Sequence, residues 1–439
     1  MSRLTWERSA RSGRVFRAAR GLAMALALAG CAAPESPRTL TLRVVNWAPD
    51  LELATDQRIA DRFAARHPGV RVIVESVAEN FGEKLATAIA SGTPPDVFLL
   101  DVPDIPAFVD RGLTLDLAPY ASRVGYQVGG VFPEVLSIFA RGERLFAFPK
   151  DFTPMVVFVN RQVFRRLGVA PPPEDRWSWE EFLETARAVT RDLDGDGKTD
   201  VHAINFPRQL YEWMPWVWSA GGDILDPTGS RTVGYLDAPA TVEVFGLLTS
   251  LVTRHRVAPP VQYLESGDAS RAGRFYSGRQ AMLLSGHWSL PPIRKHQARG
   301  RIEIGLASIP HRAGAEPATA IYVSGWAVPA NVRHKRLAVE LAAFLASEEA
   351  QRIRAESGLG IPALRAVALA RAEADHTGVE AAFLRQVERG RMPWGAVVRD
   401  FHRIEQMSLD LMDRVLLRGE EPAAAAREVA RAIDEAIAR

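Results

Sequence analysis

Asp192, Asp194, Asp196 and Asp200 stand in the stretch Asp-Leu-Asp-Gly-Asp-Gly-Lys-Thr-Asp. Counted from Asp192, the acids fall at positions 1, 3, 5 and 9, with Gly197 at 6, which is how a calcium loop opens. Hard Ca2+ takes oxygens presented at alternate positions around a tight turn. Position 12 should then be a bidentate Glu, and it is Ala203. The flanks also differ, because the stretch joins a helix pattern to a strand pattern (Val-His-Ala-Ile-Asn-Phe). The expectation is a turn in which Gly supplies unusual φ and Asp bonds local backbone. Calcium here would be structural only, and no cofactor is otherwise expected.

Other chemistry is sparse. The nine histidines are scattered, and there is neither a His-Glu-x-x-His zinc motif nor a Gly-x-Ser-x-Gly elbow. The 52 acids guarantee a carboxylate pair in any fold, so pairing read from sequence does not argue for a glycoside hydrolase. The chain is expected not to be an enzyme.

The formal charge of +2 is carried by the N-terminus. Residues 1–31 hold six arginines (Arg3, Arg8, Arg11, Arg14, Arg17, Arg20) and one acid, Glu7. Subtracting them leaves 54 − 6 = 48 bases against 52 − 1 = 51 acids. The remainder is mildly acidic, with no nucleic-acid footprint. After the arginines, Gly21 to Gly30 is a short uncharged apolar run, too short to span a bilayer. A basic segment followed by such a run is a secretory signal, here residues 1–30. It ends in Leu28-Ala29-Gly30-Cys31, which resembles the bacterial lipobox, whose cysteine is lipidated. Cys31 is the only cysteine, so no intrachain disulfide is available and the core must stabilise the fold. Residues 31–39 are expected to be a tether, and the product an exported, membrane-anchored protein facing periplasm or exterior.

At 439 residues, two lobes are the prior expectation. Residues 40–47 and 70–77 alternate as strands, and 55–67 and 82–91 are amphipathic helices. Residues 96–101 (Asp-Val-Phe-Leu-Leu-Asp) form a short buried strand. Strands alternating with helices predict parallel α/β pairing. A second α/β region begins after Lys150, with a strand at 155–160. Ser178 and Glu181 form a capping box for a helix to about Arg191. Further strands are predicted at 203–206, 281–285 and 302–309, one long helix at 335–357 and another at 421–438.

The order of landmarks resembles the family 1 extracellular solute-binding proteins, the sugar-binding components of bacterial ABC importers related to maltose-binding protein. The residues that carry it are Asn46-Trp47; Gly92-Thr-Pro-Pro-Asp96-Val-Phe; Leu115-Asp116-Leu; Phe148-Pro-Lys with Val157-Phe-Val-Asn160; Trp177-Ser-Trp179-Glu-Glu; the Asp-Gly-Asp-Gly turn; Ala281 to Trp288; and Ser324-Gly-Trp-Ala-Val-Pro329. The resemblance implies an α/β, two-lobed periplasmic binding protein fold (type II), with two mixed or parallel sheets flanked by helices and a hinge of crossing strands. Lobe I would be 40–149 plus 301–355, and lobe II 150–300 plus 356–439. A monomer is expected, with ligand in the interlobe cleft and an ABC permease as partner. One departure is Asp151-Phe-Thr-Pro-Met155, where many members carry a Tyr.

Sugars present hydroxyls, which carboxylates and amides pair with, and flat C–H patches, which indoles cover. Trp47, Trp288 and Trp326 lie at predicted strand ends or loops, where α/β sheets place ligands. By resemblance Trp288, Trp326 and Trp394 match cleft aromatics, and Trp216 is added from the cluster 213–218. The polar candidates are Asn80, Asp101, Asp151 and His287. Asp101 has a competing role as a cap before Pro103, and His287 as a satisfied structural histidine. Gly325 would let backbone N–H groups approach the ligand. A Trp-rich cleft with few clustered arginines favours a neutral sugar. A polyamine, metal chelate or phosphorylated polyol on the same fold is the alternative.

Overall fold

The computed structural model describes residues 39–48, 50–77, 79–260, 268–399 and 401–437. The expected signal and the lipidation site Cys31 lie outside the described residues, as does the tether apart from Thr39. Thr39–Arg439 is one compact unit built on two main sheets.

The strands in chain order are β1 (Leu40–Asn46), β2 (Val70–Ser76), β3 (Val97–Asp101), β4 (Ala140–Arg141), β5 (Arg144–Leu145), β6 (Phe148–Pro154), β7 (Val156–Asn160), β8 (Met282–Ser285), β9 (Ile304–Ala307), β10 (Thr319–Ala327), β11 (Ile361–Pro362) and β12 (Gly390–Arg391). The larger sheet runs β11-β6-β10-β3-β1-β2, with β12 on β10. It is mixed: β1 is parallel to β2 and β3, whereas β10 is antiparallel to β3 and β6. The smaller sheet, β8-β7-β9, is antiparallel throughout, which corrects the expectation of a mixed or parallel sheet there. β8 and β9 are parallel to each other and are joined through the helix Leu290–Gln297, with β7 running between them in the opposite direction.

Central strand β7 is apolar from Val156 to Val159 because both its faces are covered. Val157 and Val159 pack into one core with Trp177, Phe182 and Trp213, and Val156 and Phe158 into the other with Leu290, Ile293 and Phe383.

The lobe boundaries move. β6 belongs to the larger sheet and β7 to the smaller, so the first crossing falls at Met155. β9 pairs with β7, so residues from 301 belong at first to lobe II, and the return comes with β10. β11 pairs with β6, which extends lobe I beyond 355. The predicted helix 335–357 is two helices, Lys335–Leu345 and Glu348–Ser357, because Ser347 turns extended and caps the second. Residues 203–206 run beside β8, where Met282 N–H donates to the Ala203 carbonyl, without forming a named strand. The Ser178–Glu181 capping box is present. Among the described residues no helix is long and apolar enough to cross a membrane.

Candidate functional site

The larger sheet presents carboxylates on two of its strands, Asp101 at the end of β3 and Asp151 in the middle of β6. β10 lies between β3 and β6, and Ser324 pairs with Asp101 on one side and Asp151 on the other. The three side chains therefore form a row across the sheet. The Ser324 hydroxyl donates to Asp151 Oδ1 at 2.7 Å. β6 is irregular here: Ser324 pairs with Asp151 but Gly325 with Pro149, so Lys150 is an extra residue. Lys150 is 2% exposed and lies 2.9 Å from Asp151 Oδ2, with Glu52 on its other side. Burial works against its charge, but Asp151, Glu52 and Asp56 outweigh that and hold its pKa above the ordinary lysine value.

Asp101 accepts from Val102 N–H at 2.9 Å and caps the short helix Val102–Asp104. Capping leaves this side chain only partly exposed. Burial raises its pKa to about 7, and neighbouring Asp104 and Asp151 add to the rise while Lys150 opposes it. Trp47 leaves the end of adjacent β1 and is 37% exposed. Asn80 is exposed in the left-handed region, φ 51°, two residues before Gly82, whose missing side chain leaves room for Asp104.

Tyr322, on crossing strand β10, joins the two walls. Its hydroxyl donates to the Tyr211 carbonyl at 3.1 Å. Burial and then Glu405, Tyr211, Asp101 and Glu212 push its pKa well above the ordinary value, which puts Asp101 of one lobe among acids of the other.

The facing wall is aromatic. Trp288 is 38% exposed and lines a cavity of about 210 Å³ with Asn205, Tyr211, Glu212, Tyr276 and Ser285. Gly286 lies under its ring, where a Cβ would stand 2.3 Å from a ring carbon. Trp394 is half-buried, and its indole N–H donates to Asp223 Oδ1 at 2.6 Å. Trp218 donates to the same oxygen at 2.9 Å, Arg391 to the other at 2.6 Å, and the Arg391 guanidinium lies 4.5 Å over the Trp218 ring.

The walls meet at a rim. His402 Nε2 is 3.4 Å from Asp104 Oδ1, and its Nδ1 2.9 Å from Glu405. Asp104 and Glu405 hold this histidine protonated well above its usual range. Arg399 reaches Asp110 at 3.0 Å, and Arg141 donates to the Ala396 carbonyl.

Four expected site residues are elsewhere. Trp216 is fully buried in the lobe II core, edge-on to Phe182 at 5.3 Å. Trp326 shares a face with Ser324 but lies two residues deeper, where the Arg354 guanidinium covers it at 5.2 Å. His287 is fully buried, its Nε2 2.8 Å from Glu380, so the structural alternative holds. Gly325 serves packing, since a Cβ there would stand 2.9 Å from Phe139. Trp47, Asn80, Asp101, Asp151, Trp288 and Trp394 keep part of their surface accessible and are the candidates that remain. Sequence reasoning missed Lys150, Tyr211, Tyr322, His402, Glu405 and Asp223. Only Lys150 had a local signal, as the neighbour of Asp151 in Phe148-Pro-Lys-Asp.

In the acidic loop, Asp192, Asp194 and Asp200 each bring an oxygen within 4.8 Å of the others. Those oxygens are engaged locally: Asp192 accepts from Gly195 at 2.7 Å and Gly197 at 2.9 Å, Asp194 from Asp196, Asp196 from Lys198 and Asp200 from Leu193. Gly195 and Gly197 have φ of 78° and 85°, as such a turn requires.

Two sheets joined by crossing segments, β6 to β7 and β9 to β10, define the fold of a two-lobed solute-binding protein. The chain belongs to the bacterial extracellular solute-binding protein family, whose profile matches residues 48–352. It is 26% identical over 264 residues to a lipoprotein of the oleD 5′ region of Streptomyces antibioticus, covering 59% of this chain and 56% of that one. The chain thus spans little more than half the length of that relative. It is 26% identical over 159 residues, 36% of this chain and 34% of the other, to the diacetylchitobiose-binding protein DasA of Streptomyces coelicolor. An ABC substrate-binding protein of Listeria monocytogenes, solved with cycloalternan, shares the fold at TM-score 0.80 and 21% identity, over 91% of this chain and 99% of the other.

Proposed function

We propose that the chain is the extracytoplasmic receptor of an ABC importer and binds a mono- or oligosaccharide between its lobes. The observation that carries this reading is the pairing of two walls: Asp101 and Asp151 on one, Trp288 and Trp394 on the other. Carboxylates accept from vicinal hydroxyls while indoles cover ring C–H faces. The relatives named for diacetylchitobiose and cycloalternan support a saccharide. Micromolar affinity needs about −8 kcal/mol, within reach of two stacked rings and a few charge-assisted hydrogen bonds after ordering costs. Ligand touches both walls only in the closed form, so binding shifts the lobes toward closure, and the closed form docks on the permease. In this reading Cys31 carries the lipid, the protein acts as a monomer, the acidic loop is a turn that needs no calcium, and the chain catalyses nothing.

The test is tryptophan fluorescence and thermal melting of the purified protein against a panel of saccharides. Saturable quenching with a raised melting point is expected for at least one. Turnover of a glycoside, or silence across the panel, overturns the reading.

A further inference from the structure

The carboxylates of the cleft outnumber the cations set against them. Lys150 serves both Glu52 and Asp151. His402 serves both Asp104 and Glu405. These are the cations that the described residues place against those four acids. Arg208 is committed bidentately to Asp413, and Arg399 to Asp110. Asp101 stands between the two groups as a fifth acid. Asp104, Asp151, Lys150 and Tyr322 face it, and its carboxylate accepts a hydrogen bond from Val102 N–H. Hydroxyls of a neutral sugar would donate to these groups without cancelling their charge. Closure over a neutral ligand would also strip water from acids that already repel one another. A cation on the ligand removes both costs.

We propose that the cleft selects a sugar bearing a protonated amino group, with the ammonium donating to Asp101. This rests on the saccharide reading above and narrows it. Trp288 and Trp394 then cover the ring while Asp101 fixes the end that carries the amine.

The experiment compares matched ligands by calorimetry at pH 6, where the sugar amine is charged. One set is chitobiose with free amines, N,N′-diacetylchitobiose and cellobiose, which share linkage and ring and differ at C2. Glucose, galactose and mannose with their 2-amino and 2-acetamido forms make three more sets. In the tightest-binding set the amine is expected to win by about tenfold or more, the scale of one charge-assisted hydrogen bond. Asp101→Asn should bring that ratio to near one. Asp101 is largely protonated at pH 6, so amine binding should also release protons, read from the buffer dependence of the heat. That readout uses the unaltered protein and does not depend on the variant folding. A neutral member binding as tightly as the amine, or amine binding without proton release, overturns the inference and leaves a sugar receptor. No binding in any set overturns both.

Discussion

The two walls of the cleft are built in opposite ways. On the larger sheet the functional side chains sit on adjacent strands, and backbone register alone aligns Asp101, Ser324 and Asp151. Around the smaller sheet they come from loops and short helical turns far apart in sequence. There side-chain bonds aim them: Asp223 holds Trp394 from 171 residues away and Trp218 from 5, and Gly286 makes room for Trp288. A wall made by register can carry concentrated charge, because the strands cannot move apart. A wall made by side chains offers broad surface whose aim depends on each tie.

The largest effect should come from breaking the charged wall. Lys150→Met leaves Glu52 and Asp151 buried without their cation and should cost about 3–5 kcal/mol in denaturant unfolding. A loss below 1 kcal/mol would mean that the wall is not held by this ion. Asp101→Asn should act with the opposite sign. The folded pKa is raised, so the wild-type carboxyl favours folding fully at about pH 4, and that advantage is lost as pH rises through about 7. Asn keeps the cap, so the variant should gain on the order of 3 kcal/mol relative to wild type at pH 8, with little difference at pH 4. Melting curves at the two pH values read this directly.

The aromatic wall should lose binding more than stability. Trp288→Ala removes a half-exposed ring and should weaken saccharide affinity about tenfold while stability changes by about 1 kcal/mol or less. Asp223→Ala should release Trp394 without deleting it, costing about threefold to fivefold in affinity, with a shifted tryptophan emission. The smallest effect belongs to the rim. Arg399→Ala removes an exposed pair with Asp110, worth about 0.2–1 kcal/mol, and should weaken affinity mainly at low ionic strength. A loss equal to that of Trp288→Ala would make the rim, and not the indoles, the main clasp.

The same contrast explains what was legible beforehand. Asp101 could be found because it ends a strand whose apolar pattern is local, and strand ends are where such sheets place ligands, whereas Asp151 was marked by following Phe148-Pro-Lys at the expected crossing. Trp216 and Trp326 looked equivalent to Trp288, because an indole has the same composition whether it packs or waits for a ligand. Tyr322, Glu405 and His402 had no local signal, since each acts through partners on other elements.

The sequence by itself determined the alternation that makes β1 to β3, the apolar run of β7 and the Ser178 cap, all set by periods of a few residues. It also determined the turn at Asp192–Asp200, whose carboxylates meet backbone N–H groups at most seven residues away. Only the tertiary structure decided which tryptophans face the cleft, where the chain crosses between sheets, and that five carboxylates share two cations there. Those outcomes depend on contacts between residues 28 to 298 apart in the chain, and the free energy of such a contact resides in the pair, not in either residue's neighbours.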